Sequence, residues 1–225
     1  MTNSKPSTTS PESSGEENVA APVSHSLIKK GGPDGILLSA YKKVEKKLDG
    51  VLKLHLSNVI DCAMKVEVDD SAKLLFKDWL AALAAESVYL EFQLGASEKP
   101  ILVRVSRTFL SASVDCFFGG QFDGEAHSSG DLKQSEITMI NRLAGAIAAG
   151  LSDAWSMLFD SPVRYSRYFQ DKDDIELDLD DENVLVSATS VHLSGHKIAA
   201  MDVIQTLDGL IAIEPQLNRP HHRET

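Results

Sequence analysis

Residues 104–110, RVSRTFL, close an alternating apolar run and open a helix; DVIQTLD (202–208) makes the same transition again, with Thr206 98 residues after Thr108. Working outward from the two stretches, the same series of elements precedes each. A strand, 100–106 (PILVRVS), leads into the first, and 197–204 (KIAAMDVI) leads into the second. Before these come two more alternating runs, 87–94 (SVYLEFQL, then the hairpin loop GASEK) and 184–193 (VLVSATSVHL, then a turn around SGH). Earlier again lie CAMKVEV (62–68) and VRYSRYF (163–169).

Each half starts with a long amphipathic helix. In the first, Leu37, Tyr41, Val44, Leu48, Val51, Leu52, Leu56 and Val59 recur at three-to-four spacing from about Ile36. In the second, Ile137, Ile140, Leu143, Ala144, Ile147, Leu151, Trp155 and Leu158 do so, with Ser135 as a candidate cap. KLLFKDWLAALA (73–84) reads as a short helix or an irregular covering segment. Helices close both halves, RTFLSASVDCFF (107–118) ending at Gly119-Gly120 and TLDGLIAI (206–213) ending at Pro215. Residues 36–118 and 133–213 thus run helix, strand, break, strand, strand, helix. The expected fold is a pseudo-two-fold α/β domain from an internal duplication, with a six-stranded sheet covered by long helices in a layered sandwich.

Residues 1–33 are rich in Ser, Thr, Pro and Glu without an apolar period, which predicts a disordered arm. The ordered domain is expected over 34–217, followed by a short polar tail, 218–225. The 22 basic side chains against 33 acidic ones give a formal net charge of −11. That balance excludes a protein that tracks nucleic-acid phosphates with a basic stripe. No apolar run reaches the ~18 residues of a membrane span, so no direct insertion is expected. Two cysteines, Cys62 and Cys116, with no CxxC, predict small apolar packing residues in a reducing cytosol. The acidic run from Asp171 to Glu182 lacks the glycine and terminal Glu of a calcium loop and reads as a solvated break on the sheet rim. His192 and His196 flank the SG turn without a third ligand, and His221 and His222 sit in the polar terminus; no metal and no cofactor is expected.

VDCFFGG (114–120), a polar loop and SEITMINRLAGAIAAGLSDAW (135–155), followed by IAAMDVIQTLDGLIAIEPQL (198–217), resemble the middle domain of the FliM family of flagellar motor switch proteins. The duplicated fold is shared with chemotaxis phosphatases of the CheC type. The resemblance covers roughly 36–217. It implies a structural, non-enzymatic part of the switch ring, peripheral to the inner membrane on its cytoplasmic side. It further implies contact with the rotor protein FliG, self-association around the ring, and CheY as a further candidate partner. The family's FliG-contacting element has the form Gly-Gly-x-Gly; this chain has Gly119, Gly120, Gln121, Phe122, Asp123 and Gly124 there. These six are the expected partner-binding residues, with Phe122 expected to be exposed. The family's CheY-capturing N-terminal peptide is not found in 1–33, and its C-terminal β domain is not found after 217. The expectation is therefore a middle domain without flanking partners.

The alternative is a stand-alone CheC-like protein acting on or binding phosphorylated CheY. Such phosphatases activate water with a Glu and an Asn three residues apart on one helix face. Here Asn141 follows Thr138 at that spacing, Glu136 lies five positions back, and Asn58 follows His55. No carboxylate–amide pair forms in either half, so no catalytic residue is expected.

Overall fold

The computed structural model describes residues 33–217 except 84–85, 96, 98, 125–129, 159–160 and 176, with side chains from 38 to 213. Of the arm expected over 1–33, residues 1–32 lie outside the described residues, as do the tail 218–225 with His221 and His222, whereas Pro33 opens the first helix. Among the described residues, five α-helices and seven strands follow in the order α1 (Pro33–Ser57), β1 (Met64–Val68), β2 (Ala72–Leu75), α2 (Phe76–Ala82), β3 (Ser87–Leu94), β4 (Ile101–Ser106), α3 (Arg107–Phe117), α4 (Gln134–Trp155), β5 (Val163–Phe169), β6 (Asn183–Leu193), β7 (His196–Thr206) and α5 (Leu207–Leu217), with one 3-10 turn at Lys172–Asp174 between β5 and β6.

The sheet order is β1-β6-β7-β4-β3-β5, all antiparallel, with β2 beside the start of β6. The six expected strands form the path, and the short β2 adds a seventh, taken from the segment read from residue 73 as a short helix or an irregular cover. Exchanging β1 with β5, β3 with β6 and β4 with β7 reverses the order onto itself, which is the signature of a two-fold. Local geometry fixes the relation between the halves. Ser106 Oγ accepts from Phe109 N–H (3.2 Å) at the start of α3, and Thr206 Oγ1 accepts from Gly209 N–H (3.0 Å) at the start of α5. These equivalent caps stand 100 residues apart. Val103 pairs directly with Val203, also 100 apart, so the pseudo-axis passes through that pair. The offset of 98 that matches Thr108 with Thr206 is corrected by two residues. The hydroxyl's place at the strand-to-helix junction defines the equivalence, whereas the shared threonine is a coincidence of type.

The halves are interleaved. β1 pairs with β6 of the second half, and β5 pairs with β3 of the first. Neither half keeps its outer strand against its own inner hairpin. β6 and β7 form a long hairpin whose turn uses Ser194 (φ 51°) and Gly195 (φ 86°), the two positive values that a two-residue turn between twisted strands favours.

Both long helices lie on one face. Tyr41, Val44, Leu48, Leu52 and Leu56 of α1 and Ile140, Leu143, Ile147, Leu151 and Trp155 of α4 are buried, and Lys42, Lys43, Lys46 and Lys53 point out. α1 and α4 cross closely at Gly150, where an added Cβ would stand 3.1 Å from Leu52 Cδ2 and 3.6 Å from Leu52 Cα. Replacing Gly150 by valine is therefore expected to overpack the crossing and lower the unfolding free energy by about 1–3 kcal/mol, read from urea denaturation. Beneath α1, Ser187 Oγ donates to Glu45 Oε1 (2.9 Å) and lies 3.2 Å from the Tyr41 hydroxyl, so the buried carboxylate has a partner. Burial holds the Tyr41 phenol well above its usual range.

The opposite face carries a smaller core. Phe76 and Trp79 of α2 pack on Tyr89, Leu102, Phe169, Val184, Val186 and Ile204. Leu179 joins this core, with Ile175 and Leu177 packed against it, while Asp178, Asp180 and Asp181 face outward. The acidic stretch read as a solvated rim break is instead an alternating cover over the second face of the sheet. At the centre of this face Arg104 Nε donates to Asp202 Oδ2 (2.7 Å), Trp79 Nε1 donates to the same oxygen (3.3 Å), and Arg104 Nη1 reaches Ser87 Oγ (3.2 Å).

Two expected helix ends move. α4 starts at Gln134 rather than capping on Ser135, because Glu136 reaches back to accept from Lys133 N–H (2.8 Å). α5 runs through Pro215 to Leu217. The carbonyl that proline leaves without its helical donor belongs to Ile211, whose residue is half exposed.

Candidate surface at the end of helix α3

α3 ends in a Schellman motif. Gly119 N–H donates to Cys116 O (2.9 Å) and Gly120 N–H to Asp115 O (2.8 Å), with Gly119 at φ 81°. Gly120 has its own reason: a Cβ there would lie 3.0 Å from Asp115 O. Both glycines of the doublet are thus required by the helix end itself.

The chain then folds down onto the β6–β7 hairpin. Phe122 is 3 % exposed and joins the main core, its ring edge-on to His196 at 5.7 Å and 84°. The expectation of an exposed Phe122 is corrected. Gly124 (φ 98°) passes so close to His196 that a Cβ would stand 2.8 Å from Nδ1. The hairpin that receives the loop is tied at its other side by Glu67, which lies 2.7 Å from Lys65 Nζ, 3.0 Å from Lys197 Nζ and 3.2 Å from His192 Nε2. The ammonium groups of Lys65 and Lys197 and the His192 imidazole beside it lower the Glu67 carboxyl to about 2. His192 and His196 therefore have separate partners and do not form a pair.

Gly119, Gly120, Gln121, Asp123 and Gly124 remain exposed, but the apolar group on this surface is Phe118, at 74 % exposure. It stacks edge-on against Phe117 (5.4 Å, 78°), and Arg142 lies over the Phe117 ring at 4.5 Å. A groove of about 150 Å³ runs between α3 and α4 here, floored by Val114, Phe117 and Met139 and flanked by Phe118, Thr138 and Arg142. A buried ion pair fixes how the two helices meet: Arg107 Nη2 donates to Glu136 Oε1 (3.2 Å) and Oε2 (3.4 Å). The FFGG run signalled an aromatic at a helix end. Which phenylalanine faces outward depends on helix register, since adjacent residues point about 100° apart.

The CheC-type pair does not assemble. Glu136 is buried against Arg107 at the start of α4, whereas Asn141, Thr138 and Asn58 are exposed. His55 is engaged elsewhere, its Nε2 2.7 Å from Asp153 Oδ2 across the α1–α4 crossing. Among the described residues no group of three His, Cys, Asp or Glu is placed to hold a metal ion, and no helix is long and apolar enough to cross a membrane.

No curated protein matches the chain. Among solved structures, the FliM middle domain of Vibrio alginolyticus is similar at 14 % identity and a TM-score of 0.68, over 79 % of this chain and 99 % of that one. A chain from a FliG–FliM complex of H. pylori is similar at 11 % identity and a TM-score of 0.69, over 79 % and 98 %. FliY of Thermotoga maritima follows at 14 % identity and 0.63, over 83 % and 96 %. At such identities these likenesses establish the shared duplicated, CheC-like α/β fold. The model of the flagellar motor switch protein FliM family matches residues 37–217, the span of the described domain almost end to end. The chain belongs to the FliM family and is a component of the flagellar motor switch.

Proposed function

We propose that this chain is a non-enzymatic structural subunit of the cytoplasmic switch ring, held at the inner membrane through its partners, and that the surface at the end of α3 docks FliG. The observation that carries this reading is Phe118, a large apolar side chain left 74 % exposed beside an apolar groove on a well-packed domain. Exposed aromatics next to a groove are the usual anchors of protein interfaces. Gly119, Gly120, Gln121, Asp123 and Gly124 form the adjoining backbone surface, and Phe122 holds it in place from beneath. The FliM chain in the H. pylori complex is solved with FliG, which makes FliG the partner of choice. Lateral faces pack against further copies around the ring, and torque and rotation sense pass through those packing angles without bond chemistry. CheY is a further partner of this reading. Action on phosphorylated CheY is disfavoured because the Glu136 carboxylate is committed to Arg107.

The test is FliG binding by calorimetry with the Phe118→Ala variant. Loss of a central aromatic anchor is expected to weaken binding by about 2 kcal/mol, roughly 30-fold in Kd, with the unfolding midpoint unchanged. Wild-type affinity in that variant overturns the assignment of the surface.

A further inference from the structure

Two segments cover the face of the sheet opposite the long helices, and the pseudo-two-fold relates them. Between β1 and β3 the chain makes β2 and α2; between β5 and β6 it makes the acidic run that ends at Glu182. The first cover is firmly anchored, because β2 pairs with β6 and both Phe76 and Trp79 are buried. The second is held by far less. From Leu177 to Glu182 it forms neither helix nor strand, and only Leu179 is buried. Its amide bonds are largely its own, Leu179 N–H donating to Leu177 O (2.9 Å) and Glu182 N–H to Leu179 O (2.8 Å). Among the described residues, one backbone bond ties this stretch to the rest, from Phe76 N–H to Glu182 O (3.0 Å).

Asp178, Asp180 and Asp181 are all exposed and repel one another, which works against closure. Two lysines of the first half offset this. Lys77 Nζ on α2 lies 2.9 Å from Asp181 Oδ1, and Lys99 Nζ, just before β4, donates to Glu182 Oε1. The two pairs differ in kind. Lys77 and Asp181 meet in solvent, where an ion pair contributes little. The Glu182 side chain is only 17 % exposed, and its Oε2 is buried without a hydrogen-bond partner. The Lys99 ammonium is therefore what makes the closed position of this carboxylate tolerable.

We propose that Leu177–Glu182 is a strap that opens and closes as a unit over the sheet, latched by Lys99 on Glu182, and that it conceals an apolar surface formed by Val184, Val186 and Ile204. Segments with few buried contacts and self-contained backbone bonds open at much lower cost than the core they cover. Without the ammonium, the Glu182 carboxylate is stabilised by moving into water. The end of the strap moves with it, and Leu179 leaves the smaller core.

Native-state hydrogen exchange of the full-length protein reads this opening amide by amide. In Lys99→Gln, exchange at the Leu179 and Glu182 amides is expected to quicken by about tenfold, with the amides of β4 and β7 unchanged. Lys77→Gln is expected to quicken the same two amides by no more than about threefold. Adding Glu182→Gln to Lys99→Gln is expected to slow them again, because a neutral amide leaves no orphaned charge; a merely space-filling Lys99 is not rescued in this way. Unchanged exchange at Leu179 and Glu182 in Lys99→Gln overturns the latch. Exchange that quickens equally in β4 and β7 overturns the strap as a separate unit. If the second substitution leaves exchange fast, the charge account fails. None of these readouts depends on where FliG docks.

Discussion

Asp202→Ala is expected to lower the unfolding free energy by about 3–5 kcal/mol, the range for removing one partner of a buried ion pair. Asp202 and Arg104 are directly opposed on β7 and β4, one residue from the pseudo-axis, and each residue is only 8 % exposed. Without the carboxylate, Arg104 keeps its charge under Trp79 and its bond to Ser87 but loses its counter-ion, while Trp79 Nε1 loses its acceptor. Urea denaturation followed by Trp fluorescence measures the loss. The double variant Arg104→Met with Asp202→Leu separates the explanations. Replacing both charges by apolar groups is expected to recover most of the stability, because the cost lies in the orphaned charge. A single variant within about 1 kcal/mol of wild type would show that water reaches Arg104 from the α2 side.

Phe122→Ala is expected to cost about 3 kcal/mol, at the low end for a truncated core phenylalanine because the ring sits at the margin of the core. Its effect differs in kind from that of Phe118→Ala. Phe122 is an anchor: its ring is buried in the main core and fills the space beside His196. Truncation is expected to lower the urea midpoint and FliG affinity together, whereas Phe118→Ala lowers affinity alone. Phe122→Leu, which refills most of the volume, is expected to restore most of the midpoint. If Phe122→Ala leaves the midpoint unchanged, the loop is not held through this ring and the anchoring account fails.

The contrast between these two phenylalanines shows where a sequence stops being informative. Both stand beside the same glycines, and the Gly-Gly run reads correctly as a helix end. Exposure, however, is the expectation for Phe122, which stands among the glycines of this loop. The loop's path is set by a residue 74 positions later, His196, on a hairpin from the other half of the duplication. Nothing local to residues 119–124 encodes that contact. The acidic stretch fails for the opposite reason. Its charges dominate composition, while the alternation of Ile175, Leu177 and Leu179 that covers the sheet is short and diluted by aspartates.

By itself, the sequence determined the series of helices and strands apart from β2, the apolar faces of α1 and α4 and the internal duplication, because these rest on periodicities within single elements and on their order; the resemblance to the FliM family was carried by its motifs VDCFFGG and SEITMINRLAGAIAAGLSDAW. Only the tertiary structure decided that β1 and β5 exchange halves, that the repeat offset is set by the Ser106 and Thr206 caps, and that Phe118 faces out and Phe122 in. Those features depend on contacts between segments tens to more than a hundred residues apart. Their energies come from burial and pairing that no local pattern records.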